Sequence, residues 1–182
     1  MKKHTIAALL AAALLAPCAA WADFGGTTEN TISLGASFAY DPSTIAGSEL
    51  SLDLHGGLFM RDNWLLGGIL DYEDNDVVTT YEIAALSQWH FLDEYLADEN
   101  GVHSAFSPYG GVMLGLAHGK TAADSDTGAM AGLRLGFDIF FSQNTALDCS
   151  VDFKFCTGDV YPDEREMKSS DIAFRVGIGL FF

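Results

Sequence analysis

Residues 129–141 read Ala-Met-Ala-Gly-Leu-Arg-Leu-Gly-Phe-Asp-Ile-Phe-Phe. Every second residue from Ala129 to Phe141 is apolar, while Arg134 and Asp138 fall on the opposite parity. Successive side chains of a β-strand point to opposite faces of the sheet. The stretch therefore predicts a long strand with one apolar face and one face that carries charges.

Seven further segments show the same period of two, so the sequence predicts eight strands. They cover residues 31–40, 49–58, 64–72, 77–91, 104–117, 147–155 and 171–182. Segment 104–117 is rich in glycine, which leaves open which of its two faces is apolar. Two all-β folds produce such alternation: a soluble sandwich that buries the apolar faces, and a membrane barrel that turns them toward lipid.

Strand length and aromatic residues favour the barrel. Strands of about 9 to 15 residues can cross a bilayer when tilted, whereas sandwich strands usually have about 5 or 6. An up-and-down path from the periplasm places the aromatic residues in two rings at the levels of the lipid headgroups. The inner ring would contain Trp64, Trp89, Phe91, Phe106, Phe141 and Phe182, and the outer ring Tyr40, Tyr72 and Tyr81. We therefore expect an eight-stranded antiparallel up-and-down transmembrane β-barrel.

The first 22 residues have the features of a secretory signal peptide. Two lysines precede an apolar stretch at 6–17, and Ala20-Trp21-Ala22 fits a cleavage site. The mature barrel domain would then be residues 23–182, in a bacterial outer membrane. Cys18 raises the alternative of a lipoprotein, but the proline directly before it fits a lipid-attachment box poorly.

Charge and cysteine content exclude some other functions. The formal net charge is −16, and removal of residues 1–22 takes away two lysines and no acid, which gives −18. Such a charge argues against a nucleic-acid partner. Cys149 and Cys156 would lie on one strand, roughly 23 Å apart at about 3.3 Å per residue, which is too far for a disulfide. We interpret them as small packing residues rather than as redox or metal ligands.

The connections predict the orientation of the barrel. Those at 61–63 and 142–144 are short and polar, as periplasmic turns are, whereas long outer loops are expected at 41–48, 118–127 and 158–170. Two connections depart from this rule, since 92–103 is long for a periplasmic turn and 73–76 is short for an outer loop.

The last strand, residues 171–182, ends in Phe182 and resembles the C-terminal insertion signal of outer-membrane barrels. Pro108-Tyr-Gly-Gly-Val-Met-Leu-Gly115 also resembles a recurrent middle strand of small barrels. Together they resemble the outer-membrane β-barrel domain family, which includes opacity-type adhesins, porin-like small barrels and the membrane domain of outer-membrane protein A. The resemblance implies the fold, and recognition of the last strand by the barrel-assembly machinery. It implies little about activity, because that family serves many roles.

The charged residues of the lumen form two predicted groups. An eight-stranded barrel is about filled by its own side chains, so salt bridges are expected among Arg134, Asp152, Lys154 and Arg175. Counting from the turn at 142–144 places Arg134 opposite Asp152, and leaves Arg175 either near Asp152 or beside Lys154.

A second, acidic cluster on the lumen face consists of Glu49, Asp53, Asp71 and Glu82. No cation lies near it in the sequence, so protonation or a bound cation would have to balance its charge. Asp138 would likewise face Asp148.

No catalytic, cofactor-binding or metal-binding residue is predicted. The first hypothesis is a non-enzymatic barrel with a role in membrane integrity or surface interaction, plugged by charged side chains, whose partners are outer-membrane lipids and lipopolysaccharide. The alternatives are a lipid A-modifying enzyme and a narrow pore. Such an enzyme needs a His and a Ser at a rim that faces lipid, and His118 at the outer rim has no Ser two positions on.

Overall fold

The structure is a computed structural model that describes residues 27, 29–41, 49–75, 77–91, 97–98, 101–102, 105–142, 144–163 and 166–182. The side chains of 39–41, 49–50, 97–98, 101–102, 105, 162–163 and 166 lie outside this description. The predicted signal peptide, its cleavage site and Cys18 also lie outside the described residues. Within the described part, no helix is long and apolar enough to span a membrane.

Eight antiparallel strands close into a single barrel. They are β1 (Ile32–Asp41), β2 (Glu49–Arg61), β3 (Trp64–Asp74), β4 (Thr79–His90), β5 (Ala105–Lys120), β6 (Ser125–Ser142), β7 (Thr145–Cys156) and β8 (Ser170–Phe181). Each strand pairs with the next one in the chain, and β1 pairs with β8. The predicted fold class is confirmed.

The seam between β1 and β8 joins the two ends of the sheet. Leu34 lies opposite Leu180, and the backbones of Ile32 and Phe182 exchange two hydrogen bonds of 2.9 Å. A closed sheet leaves no unpaired strand edge, which is a requirement for β-structure inside a bilayer. The terminal Phe182 therefore completes the barrel through its backbone.

The fifth strand, whose orientation the sequence left open, is settled by its neighbours. Val112, Leu114 and Leu116 are exposed on the outside, whereas Tyr109 and Met113 are buried in the lumen. Gly111 and Gly115 lie so close to the β4 backbone that a side chain at either would meet it. Small residues are thus needed where the tightly coiled sheet brings neighbouring strands together.

The connections correct the predicted loop lengths. The expected outer loop at 118–127 is mostly strand, because His118 pairs with Thr127 and Lys120 with Ser125. Only residues 121–124 connect β5 to β6, and the polar and small residues flanking this turn continue the ladder beyond the apolar part of the strands. The long inner connection at 92–103 contains a two-residue ladder between 97–98 and 101–102.

The periplasmic turn between β2 and β3 is fastened to the start of the chain. Asn63, which has a φ of 66°, donates its backbone N–H to Thr27 O at 2.8 Å. Its side-chain oxygen accepts the Thr27 hydroxyl at 2.6 Å, and its carbonyl accepts the backbone N–H of His90 at 2.8 Å. Asparagine tolerates this left-handed conformation better than most residues do. The segment before β1 is therefore tied to the inner rim.

Candidate functional site

The exterior of the barrel is apolar and its lumen is charged, which is the reverse of the arrangement in a soluble protein. Phe174 and Leu114 on the outside are 71% and 64% exposed, whereas Arg134 and Arg175 in the lumen are each 1% exposed. A continuous apolar exterior of this kind is stable in contact with lipid and not with water. The barrel therefore spans a membrane, and its lumen is the candidate functional site.

Arg134 on β6 is the centre of the lumen network. Its Nε and Nη2 donate to the two carboxylate oxygens of Asp152 at 2.7 Å each, in a bidentate pair. Its Nη2 also donates to Asp53 Oδ2 at 2.8 Å. Asp53 further accepts the Ser37 hydroxyl at 3.2 Å and contacts His55 Nδ1 at 2.5 Å. The predicted pairing of Arg134 with Asp152 is present, and its geometry is that of a strong charge-assisted pair.

Arg175 and Lys154 extend the network across the lumen. Arg175 donates to Asp152 at 3.0 Å, to the Ser51 hydroxyl at 2.6 Å, and to Asp71 on the distant strand β3. Lys154 donates to Asp71 at 2.6 Å and to Glu82 at 2.7 Å. Of the two positions left open for Arg175, the one against Asp152 is correct.

The acidic cluster has no cation near it in the sequence, but basic side chains from other strands reach it in the folded barrel. Asp53, Asp71 and Glu82 each accept a hydrogen bond from a basic side chain of β6, β7 or β8. These partners are far away in the sequence and come close only because the barrel closes. The side chain of Glu49 lies outside the described residues, although its backbone pairs with Asp41. Acidic and basic residues thus form one network.

A second polar layer lies on the periplasmic side of this network. Asp138 and Asp148 face each other on β6 and β7, as predicted. The Tyr109 hydroxyl donates to Asp148 Oδ1, and His90 Nδ1 lies 3.7 Å from Asp138 and 3.1 Å from Ser107 Oγ.

His90, Tyr109, Asp138 and Asp148 line a cavity of about 10 Å³, which is close to the space of one water molecule. Among the described residues, no set of three or more His, Cys, Asp or Glu side chains is arranged to hold a metal ion.

An aromatic cluster closes the lumen at the periplasmic end. Phe59, Phe140 and Phe181 are almost fully buried. The ring centroid of Phe181 lies 4.8 Å from that of Phe140 and 6.3 Å from that of Phe59. The ring centroid of Phe59 also lies 5.3 Å from that of His90, so the cluster packs directly beneath the second polar layer. Tilted rings at such distances are a favourable arrangement for aromatic side chains.

The connection between β7 and β8 closes the opposite end. Its short strands Tyr161–Asp163 and Glu166–Lys168 form a two-stranded sheet, the outer hairpin, and Val160 and Tyr161 at its start are fully buried. The Thr80 hydroxyl donates to Val160 O at 2.8 Å, and Gly119 leaves the space that the Val160 backbone occupies. The start of the segment predicted as a long outer loop at 158–170 therefore folds inward over the lumen.

Tyr161 links the outer hairpin to the network below it. Lys154 Nζ lies 5.7 Å from the centroid of the Tyr161 ring, within the range of a cation–π interaction. Burial, with the nearby Glu82 carboxylate, raises the pKa of Tyr161 well above its ordinary value. The phenol therefore stays neutral and caps the lumen at neutral pH.

The aromatic residues lie at the two ends of the strands. Trp64 is opposite Trp89 beside the periplasmic turn, and Tyr72 is opposite Tyr81 at the other end with ring centroids 5.4 Å apart. Tyr81, Trp89, Phe91, Phe106 and Phe141 are exposed on the outside. Phe182 is only half-buried, Leu180 beside it is buried rather than exposed, and the side chain of Tyr40 lies outside the described residues.

The outer rim carries a pair that the sequence analysis missed. His118 Nδ1 lies 2.8 Å from Thr127 Oγ1, on the face of the sheet that continues the lipid-facing side. Spacing along the chain does not predict Thr127 as the partner of His118, because the two residues lie opposite each other on neighbouring strands. The signal for this contact is the register of the β5–β6 hairpin rather than any local spacing.

The overall geometry matches that of known membrane barrels. The N-terminal β-barrel domain of Pseudomonas aeruginosa OprF superposes with a TM-score of 0.57 at 17% identity, covering 85% of this chain and 98% of that one. Neisserial surface protein A (NspA) gives 0.55 at 17% identity, with 84% and 96% covered. The fold is that of the small outer-membrane barrels. Pseudomonas aeruginosa OprG gives 0.51 at 16% identity, with 88% and 99% covered.

No protein-family model matches the chain. No curated protein matches it either. The apolar outer surface and the closed eight-stranded antiparallel sheet together place the chain in a bacterial outer membrane, since closed barrels of this kind are the β-structures that span such membranes.

Proposed function

We propose that this outer-membrane barrel is a sealed, non-enzymatic protein that supports membrane integrity and presents its outer surface for interaction. The observation that carries the proposal is the continuous ion network around Arg134, Arg175 and Lys154, which fills the middle of the lumen. A pore or conduit would need an open path there, and the network occupies it.

The seals at both ends support the same function. The aromatic cluster of Phe59, Phe140 and Phe181 lies below the network, and Val160 with Tyr161 lies above it. Side chains from seven of the eight strands take part in the network's hydrogen bonds, so they brace the barrel wall from inside. A braced and sealed barrel acts through its two surfaces, which are lipid-facing and extracellular.

The last strand supports a proposal about assembly. Strand β8 pairs with both β7 and β1, so the barrel closes only when this strand is in place. We propose that the barrel-assembly machinery recognises the alternating apolar face that ends at Phe182.

Planar-bilayer recordings test the sealed barrel. We expect the purified protein to produce no unitary current steps, because the lumen is closed in three layers. The double variant Val160→Gly, Tyr161→Gly should also be silent, since it opens only the outer layer and leaves the network intact. Regular steps from the wild-type protein would refute the sealed barrel, and steps from the double variant alone would show that the outer hairpin, not the network, is the seal.

A second candidate function is a lipid-modifying enzyme, and the contact of His118 with Thr127 favours it. An imidazole beside a hydroxyl is the arrangement in which a base activates a nucleophile. The pair lies at the rim that faces the outer leaflet. In the described part of the chain, however, no carboxylate hydrogen-bonds to this imidazole to orient it, so the non-enzymatic function is better supported.

Mass spectrometry of lipid A separates the two candidates. We expect lipid A from cells that produce the protein to have the same acyl chains as lipid A from cells that lack it. A mass difference that disappears with Thr127→Val would establish the enzyme and overturn the proposed function. Thr121→Val, in the nearby turn, serves as the control substitution.

A further inference from the structure

The lipid-facing surface of the outer half of the barrel is not uniform. A groove of about 310 Å³ runs across β2, β3 and β4, lined by Leu52, Leu54, Leu70, Tyr72 and Tyr81, and by Asp71 and Glu82, whose carboxylates bind Lys154 in the lumen. The two tyrosines lie at the level of the lipid headgroups, with Leu52 opposite Tyr72, and Leu54 and Leu70 lie two residues deeper in the apolar belt. The groove therefore begins at the headgroup level and extends toward the middle of the membrane, as a lipid acyl chain does.

A row of polar groups continues from the groove along the rim. Tyr81 lies opposite His118 on β5, and His118 lies opposite Thr127 on β6. Two residues above them, Thr79 lies opposite Lys120, which is exposed. Directly opposite residues in a sheet are about 4.5–5.5 Å apart, so these groups form one compact patch, the rim patch, of His118, Lys120 and Thr127.

The chemistry of the rim patch suits an anionic oxygen ligand. Lys120 supplies an ammonium group. When the Thr127 hydroxyl donates to His118 Nδ1 at 2.8 Å, the imidazole carries its proton on Nε2 and can donate it to a further acceptor. An ammonium and an imidazole N–H are the donors that phosphate oxygens accept.

The acidic side chains nearest to the rim patch are Asp126, next to Thr127, and Asp124, next to Ser125. Asp126 accepts the backbone N–H groups of Thr127 at 2.7 Å and Asp159 at 2.9 Å, and Asp124 accepts that of Ser125 at 2.8 Å.

A third acid, farther away, also has other partners. Asp74 on β3 accepts the Tyr72 hydroxyl at 3.3 Å and the Thr79 hydroxyl at 3.4 Å. Asp74 lies opposite Thr79, two strands from Lys120. A phosphate on the lipid-facing side of β5 and β6 thus contacts Lys120 and His118, while Asp126 alternates to the other face of β6, where it accepts the backbone N–H of Asp159, and Asp74 lies two strands away.

We propose that the groove and the rim patch together bind one phosphorylated glycolipid of the outer leaflet. One of its acyl chains lies between Leu54 and Leu70 and beneath Tyr81, and its phosphate contacts Lys120 and His118. The proposal rests on the proposed function, in which the barrel acts through its lipid-facing surface. It adds a defined binding site on one side of the barrel, in contrast to a uniform layer of lipid around the whole barrel.

Native mass spectrometry in a mild detergent tests the site, with purified bisphosphorylated lipid A as the probe. We expect the wild-type barrel to retain one lipid A molecule, and lipid A without its phosphates to be retained at least fivefold less. The double variant His118→Ala, Lys120→Gln should show a similar loss. Lys168→Gln is the matched control, because Lys168 is a part-exposed outer lysine that pairs with Asp171 at 3.6 Å outside the rim patch.

A second pair of variants tests the groove. Leu70→Trp fills it and should reduce retention of lipid A, whereas Ile172→Trp on β8 should not, although both positions are lipid-facing and similarly exposed. If lipid A with its phosphates and lipid A without them were retained equally, the proposed site would be wrong. This comparison uses the wild-type barrel, so it does not depend on whether a variant folds. Equal losses in both members of each pair would also overturn the site. These results leave the current recordings unaffected, so a failed lipid site and a failed sealed barrel can be told apart.

Discussion

Replacing Arg134 with methionine is expected to lower the free energy of unfolding by about 3–5 kcal/mol. The change removes both hydrogen bonds to Asp152 and the one to Asp53, and it leaves Asp53 in the lumen with the Ser37 hydroxyl and His55 alone. Breaking a buried ion pair costs this much because the remaining carboxylate has lost its compensating charge. Equilibrium unfolding by guanidinium in lipid vesicles, followed by the fluorescence of Trp64 and Trp89, measures the loss.

Arg61→Met is the matched control for this prediction. Arg61 is exposed at the periplasmic end of β2, so the same chemical change should alter the free energy of unfolding by less than about 0.5 kcal/mol. Arg134→Lys keeps a cation but cannot make the bidentate contact, and its cost should fall between the two. If Arg134→Met costs no more than Arg61→Met, the network does not stabilise the barrel.

The adjacent position has the opposite requirement. Leu133→Arg is expected to cost about 2–4 kcal/mol, because Leu133 faces lipid near the middle of β6 and a charge there must be buried in the hydrocarbon. An arginine is thus destabilising at 133 and required at 134. The same unfolding measurement in vesicles tests this contrast.

Ser125→Arg provides the control for depth. Ser125 lies on the same face of the same strand but at its outer end, opposite Lys120. The cost of an arginine near the interface falls to about 0–1 kcal/mol, since the side chain reaches water. A cost at Leu133 as low as that at Ser125 would mean that the apolar face of β6 is not in contact with lipid.

Both predictions depend on which residues of a strand face lipid and which face the lumen, and the alternation of residue types in the sequence predicts this. Arg134, Asp138, Asp152 and Lys154 were assigned to the lumen by the period of two alone, and the structure buries all four. Counting from the one short turn at 142–144 then placed Arg134 opposite Asp152, and Asp138 opposite Asp148, as the strands show. Each of these inferences concerns neighbouring strands, where the connection fixes the register.

The alternation of residue types does not show which face of the fifth strand is turned toward lipid. Gly110, Gly111 and Gly115 carry no side chain whose polarity would distinguish a lipid face from a lumen face. The register with β4 and β6 orients that strand, and it also extends β5 and β6 into the region expected to be a loop. Here hydrogen bonding between backbones outweighed the turn-like composition of the sequence.

The sequence by itself determined which residues face lipid and which face the lumen, because alternation along a strand is a local property. Only the tertiary structure decided which lumen charges meet. Lys154 with Glu82, and Arg175 with Asp71, lie on strands that are not neighbours, and their contacts depend on how the closed sheet staggers and curves. For the same reason, the inward fold of the outer hairpin and the contact of His118 with Thr127 were visible only once the barrel had closed.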